Sequence, residues 1–251
     1  MEHIELIFFF FAIAFVYASV GFGGGSSYLA VLALYALPFK EMRLIALICN
    51  IIVVTGGTMV YIKSRQFEGR KILPLVLVSV PMAYLGAKMK LSENVFFIIL
   101  GVSLLVAAIL LWIKTKAADV PTEKPAHAVR DGAIGGAIGF LSGMVGIGGG
   151  IFLSPILNLM KWDTSKRIAA TASMFILVNS VSGLIGQVSE MPAGMDMKRI
   201  VFLCCAVLAG GQLGSRMGAV KFNLQVVKRV TAVLVFIAGV EVLFKHLAWF
   251  K

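Results

Sequence analysis

The chain has 251 residues, 59% of them apolar and 14% charged, with a mean hydropathy of +0.95. A soluble domain carries about 45–50% apolar and about 25% charged residues, so this chain lacks the polar surface to cover itself in water and reads as an integral membrane protein. Its formal charge of +11 would suggest nucleic acid in a soluble domain, but the basic residues cluster in short breaks between apolar runs, as expected where charge fixes orientation in a bilayer; nucleic acid is not an expected partner.

A hydrocarbon core about 30 Å thick needs roughly 20 helical residues, so the segments are cut where charges or Pro/Gly clusters interrupt an apolar run. The first half yields Ile4 to Val20, Tyr28 to Leu37, Arg43 to Ile62, Ile72 to Met89 and Val95 to Ile113. The second yields Asp131 to Val145, Ile151 to Met160, Ile168 to Val188, Ile200 to Met217 and Val226 to Leu247. Lys114 to Arg130, with Asp119, Pro121, Glu123, Lys124 and Pro125, reads as an exposed linker. The expected organisation is a first membrane repeat over 1–113, a cytoplasmic linker over 114–130 and a second repeat over 131–251. The fold class is an all-α polytopic membrane protein of two homologous halves, with about eight full transmembrane helices and two short half-helices after glycine-rich breaks. Met1 to Glu5 runs into Phe8 to Phe11 without a basic leader region, so the first segment is expected to stay in the mature protein.

The halves share details. Gly21-Phe22-Gly23-Gly24-Gly25 matches Gly146-Ile147-Gly148-Gly149-Gly150, each between a longer apolar run and a short one. Leu85-Gly86-Ala87-Lys88-Met89 matches Leu213-Gly214-Ser215-Arg216-Met217, each ending a fourth segment. Matched motifs in the same order point to internal duplication. With the loop holding Lys63, Arg65, Arg70 and Lys71 placed inside, the linker's Lys114, Lys116, Lys124 and Arg130 fall inside too, as do Lys161, Lys166, Arg167, Lys221, Lys228 and Arg229. The smaller set of Lys40, Arg43, Lys90, Lys198, Arg199, Lys245 and Lys251 falls outside. This bias favours inverted repeats with both termini on the non-cytoplasmic side of an inner, plasma membrane.

The short segments are the pointers to chemistry. About ten residues span half the core, and short, glycine-interrupted segments at matching positions of two halves mark a transporter's binding site. Gly23, Gly24, Gly25, Gly148, Gly149 and Gly150 can bring backbone close to a ligand, and the helix that follows offers amide N–H groups and a positive dipole end, which favour an anion. Ser26 adds a hydroxyl that the equivalent Ile151 cannot. Gly132, Gly135, Gly136, Gly139 and Gly143 have the four-residue spacing of close helix packing instead. Neither glycine run carries the Lys-Ser/Thr of a nucleotide-binding loop.

Lys88 and Arg216, at equivalent positions inside membrane segments, would supply charge to an anion path or snorkel to the headgroups. Asn50, Thr55, Thr171, Ser173, Asn179, Ser180 and Gln187 in the third segments would line the same cavity or bond between helices. Acidic residues are nearly absent from the apolar runs, which counts against cation transport and an intramembrane carboxylate relay; Glu241 pairs with Lys245 one turn on. Cys49, Cys204, Cys205, His3, His127 and His246 have no metal-ligand spacing, and no catalytic constellation stands out, so neither a cofactor nor an enzyme activity is expected.

The paired Gly-x-Gly-Gly-Gly runs and paired Leu-Gly-Ala/Ser-Lys/Arg-Met ends resemble the TauE/SafE sulfite exporter family over residues 5 to 247. The resemblance implies a polytopic inner-membrane permease for small sulfur-containing anions such as sulfite, sulfoacetate or organosulfonates, with the six paired glycines carrying the family motif. The expected mechanism is alternating access, with the anion near the midplane and a proton or sodium ion as a coupling ion. The alternatives are an anion channel or a membrane scaffold subunit without transport.

Overall fold

The computed structural model describes residues 4–19, 21–113, 127–188, 194–218 and 224–247, and every regular element among them is an α-helix. In chain order these are α1 (Glu5–Ala18), α2 (Gly25–Leu34), α3 (Phe39–Lys63), α4 (Gly69–Ala87), α5 (Glu93–Trp112), α6 (Ala128–Val145), α7 (Gly150–Leu159), α8 (Ser165–Gln187), α9 (Met197–Gly218) and α10 (Leu224–Leu247). Most of the expected linker, 114–126, lies outside the described residues.

Among the described residues six helices, α3, α4, α5, α8, α9 and α10, are long and apolar enough to cross a bilayer. Of the about eight full crossings expected, the other two are α1, with 14 residues, and α6, whose 18 residues are diluted by glycine. At 1.5 Å per residue they span about 21 and about 27 Å. Helices α3 and α4 begin earlier than charge-based segmentation places them, because Glu41 and Lys71, left outside the segments, are helical and buried.

The two halves are inverted. Thr58 on α3 meets Ser173 on α8, and Leu47 meets Gly183, so these equivalent helices run antiparallel. The same holds for α5 and α10, where Gly101 meets Leu243 and Leu104 meets Gly239. The remaining packing follows the same exchange: α4 of the first half lies along α6 of the second, and α1 of the first along α9 of the second.

Glycine allows these cross-half contacts. Gly135, Gly139 and Gly143 of α6 press on the backbone of Leu75, Ser79 and Ala83 of α4, a stripe in register at one-turn intervals. The motif glycines repeat the contact, since Gly86 faces the Phe140 carbonyl of α6 and Gly214 faces the Phe15 carbonyl of α1.

Ion pairs tie the halves at opposite ends. At one end Lys71, in the first turn of α4, donates to Asp163 on the α7–α8 loop at 2.8 Å and lies 3.4 Å from Glu68, while Arg167 of α8 reaches Glu68 at 2.8 Å. The neighbouring Trp162 indole donates to the buried Asp131 of α6, which also accepts from Arg130. At the other end Arg199 of α9 meets Glu41 of α3 at 3.3 Å and Asp196 at 3.8 Å. Each clamp therefore pins the segment following a short helix to a helix of the other half.

Burial alone would raise the pKa of Asp163, but the hydrogen bonds from Lys71 and Thr164 and the charges of Lys71 and Arg167 outweigh it and hold the carboxyl below its usual 3.8. A lowered carboxyl pKa contributes stability above the unfolded-state value, which is lost as pH falls through the folded-state value. The stability difference between the wild-type protein and Asp163→Asn, measured by thermal unfolding in detergent, is therefore expected to be constant from about pH 8 to about pH 5 and to shrink at more acid pH.

Candidate functional site

The ten-residue helices α2 and α7 each begin at a left-handed glycine, Gly24 with φ +89° and Gly149 with φ +83°. A side chain in that conformation costs roughly 1–2 kcal/mol, so glycine is the residue that turns the chain sharply into each helix. The first intrahelical bond of α2 runs from Tyr28 N–H to the Gly24 carbonyl, so the amides of residues 25–27 precede it; in α7 the Phe152 and Leu153 amides share the Gly149 carbonyl.

The two breaks meet at the middle of α3 and α8. The Asn50 side-chain amide lies against Gly23 and Gly25 of the first break and donates to the Ile147 carbonyl of the second at 3.0 Å. A Cβ on Gly148 would stand 2.9 Å from both Asn50 Nδ2 and Ser180 Oγ. Ile176, at the midpoint of α8, fills the space beside Gly23, Gly148 and Gly150. Asn50, Ser180 and all six glycines are buried, and the centre is packed shut.

The surroundings of the breaks differ. In the first, Tyr17 shares hydrogen bonds with Ser27 at 2.6 Å and Ser26 at 3.5 Å, all buried. In the second the corresponding Ile151 and Phe152 are apolar and buried. The α2 side is thus the polar half of the centre, as Ser26 suggests in the sequence.

The other polar residues expected either to line the cavity or to bond between helices have these contacts. Asn179 donates to the Phe175 carbonyl of its own helix, Thr55 to Ile51, and Ser173 pairs with Thr58 across the α3–α8 interface. Gln187 is buried at the far end of α8 beside Lys40 and Arg43. Lys88 caps the C-terminus of α4, exposed, with its ammonium 4.7 Å above the Tyr84 ring, and Arg216 is exposed in the last turn of α9. The atoms nearest the six glycines do not come from either basic residue. Lys88 and Arg216 thus stand where a snorkelling side chain would, and their motif neighbours Gly86 and Gly214 serve helix packing.

Several residues of the architecture escape sequence reading. Arg43 donates to the carbonyls of Ala87 and Gly143, linking α3 to α4 and α6, and its own backbone lies against Gly146. Asp131 and Asp163 are fully buried although both sit among residues that read as segment boundaries. An acidic residue next to tryptophan at such a boundary, as in Trp162-Asp163, is the one signal that could have marked the clamp.

A family model described as "Sulfite exporter TauE/SafE" matches residues 6–242. The chain is 32% identical to the "Probable membrane transporter protein y4hK" of Sinorhizobium fredii over 97% of this chain and 99% of that protein. It is 24% identical to the "Probable membrane transporter protein YunE" of Bacillus subtilis over 78% of each. No solved structure matches the chain at comparable stringency.

Proposed function

The chain belongs to the sulfite exporter TauE/SafE family and is a multi-pass membrane transporter, and from that premise we propose that it is a secondary carrier for small sulfur-containing anions such as sulfite or organosulfonates. One observation carries the reading: two short helices, each opened by a glycine break, meet at Asn50 in the middle of the bundle. Amide N–H groups and positive dipole ends from both sides favour an anion there, and Ser26 adds a hydroxyl. The site residues are the two glycine triplets, Ser26 and Asn50. Exposed Lys88 and Arg216 act at the helix ends, where they raise the local anion concentration.

Transport proceeds by alternating access, with one half rocking against the other around a fixed central site. The two inter-half clamps, Lys71–Asp163 and Arg199–Glu41, lie at opposite ends and open in turn. The linker is cytoplasmic and both termini lie outside, in the plasma membrane.

The test is flux of sulfite and sulfoacetate into liposomes that contain only the purified protein. Saturable, counterflow-capable flux is expected, and Gly24→Leu and Gly149→Leu, in protein shown by gel filtration to be folded, are expected to reduce it at least tenfold. Each leucine would force a side chain into a left-handed position facing Tyr28 or Phe175 within 3 Å. Wild-type flux from both variants would overturn the glycine-break site, and single-channel currents would replace the carrier with a pore.

A further inference from the structure

We propose that a cleft between α4 and α8, on the outer surface of the bundle, binds one anionic phospholipid of the surrounding membrane, with an acyl chain along its apolar walls and the phosphate at Lys88. The inference goes beyond the transport reading and does not depend on which anion is carried.

Helix α4 belongs to the first half and α8 to the second, and the two run side by side in the same direction. Ser182 donates to the Val80 carbonyl at 2.7 Å, and one turn further on Gly186 packs against the Tyr84 carbonyl and Ala87. The Ser182–Val80 bond lies at the base of a cleft of about 700 Å³, walled by Pro81, Tyr84 and Leu85 on one side and by Leu177, Val181 and Ile185 on the other. That volume is within the range of about 300–1,000 Å³ that holds an organic ligand. The one hydroxyl at the base is spent on a carbonyl, so the cleft offers an occupant apolar surface. Leu85, Val181 and Ile185 are exposed at its rim, and both helices are membrane spans, so the rim meets lipid rather than water.

Length and charge select the occupant. From Leu177, beside the midpoint of α8, to Ile185 near its end the rise is about 12 Å, close to the roughly 15 Å of one leaflet's hydrocarbon. An acyl chain laid there reaches the helix ends at the level of its own headgroup. At that level stands Lys88, whose ammonium is 4.7 Å over the ring of Tyr84, itself a wall of the cleft. No carboxylate pairs with Lys88 among the described residues. A neutral lipid would fill the walls as well but leave this charge unanswered, whereas a phosphate with net negative charge answers it. The anion that Lys88 draws to its helix end is then, first of all, the phosphate of the bilayer. An occupant that touches one helix of each half bridges the two bodies and stabilises the arrangement that holds it.

The experiment titrates the full-length protein in detergent with phosphatidylglycerol or with phosphatidylcholine of the same acyl chains, reading the thermal unfolding midpoint, and counts retained phospholipids by native mass spectrometry. Phosphatidylglycerol is expected to raise the midpoint saturably and to be retained as one molecule per chain. Lys88→Ala is expected to weaken its binding about fivefold, to the level of phosphatidylcholine, as the loss of one basic residue at a headgroup implies, and Lys88→Arg to keep it. Val181→Trp, which fills the cleft from its exposed rim and spares the core, is expected to abolish retention of either lipid. Equal affinity of the wild-type protein for the two lipids, or phosphatidylglycerol binding unchanged in Lys88→Ala and Val181→Trp, would overturn the proposal. A midpoint raised equally by inorganic phosphate would reduce the site to an anion contact at Lys88, and a lipid-free dimer that Val181→Trp dissociates would give the cleft to a second copy of the chain; either result overturns the lipid site.

Discussion

Lys71→Met is expected to destabilise the protein by about 3–5 kcal/mol, the usual cost of stranding one partner of a buried ion pair. The Lys71 side chain is 5% exposed and that of Asp163 0%, so water cannot replace the lost ammonium. Asp163 would keep the Thr164 amide and a 3.5 Å contact with Arg167, but that guanidinium also serves Glu68 at 2.8 Å. Adding Asp163→Leu is expected to restore most of the loss, because a buried charge pair exchanged for apolar side chains of similar volume is often neutral or better. A double-mutant cycle on denaturant midpoints in detergent reads the coupling directly. A Lys71→Met variant within 1 kcal/mol of wild type would mean that this clamp does not hold the halves together.

Gly143→Val should be comparably damaging for a steric reason. A Cβ at Gly143 meets the backbone of Ala83 on α4, and a carbonyl cannot swing aside as a flexible side-chain tip can. Relief requires α4 and α6 to separate, and Arg43 bonds the carbonyls of Ala87 and Gly143 at that same junction, so both bonds are stretched together. The expected loss is about 3 kcal/mol or more, at the upper end for overpacking, with Gly139→Val behaving alike against Ser79. Gly69→Ala is the control, since nothing lies within 4 Å of a Cβ there, and it should stay within about 0.5 kcal/mol of wild type. Equal unfolding midpoints for Gly143→Val and Gly69→Ala would refute the backbone-contact argument.

What the sequence made legible was local. The ten segments appear as ten helices, because hydropathy and glycine placement act within one turn or one crossing. The duplication is visible in the glycine runs, and the structure repeats it at Gly24 and Gly149, which share a left-handed backbone. The glycine stripe of α6 packs as its four-residue spacing suggests, and Glu241 meets Lys245 at 3.1 Å on the surface of α10. The long-range pairings were not legible. Lys71 finds its carboxylate 92 positions away, and Arg199 finds Glu41 158 positions away, so charges that read as loop punctuation turn out to close the ends of the bundle. Cutting segments where charges interrupt an apolar run left Lys71, Glu41 and Arg199 out of the helices that carry them. Asn50 was one of several polar candidates, and only the fold shows its side chain touching both breaks. Lys88 and Arg216 show the reverse case, since their matched positions follow from duplication while their exposure places them at the rim.

The crosswise packing of α1 on α9 and α4 on α6 bears on how the chain is made. A ribosome adds about 5–20 residues per second, so α1 leaves the tunnel on the order of ten seconds or more before its main packing partner exists. During that interval the α1 face destined for Gly210 and Gly214 can be covered only by lipid or by the insertion machinery. Neither half can complete its own packing, so the first should remain a loose set of inserted helices until the second arrives. A chain truncated after residue 113 should therefore be cleared by quality-control proteases, and supplying 128–251 as a separate polypeptide should rescue it.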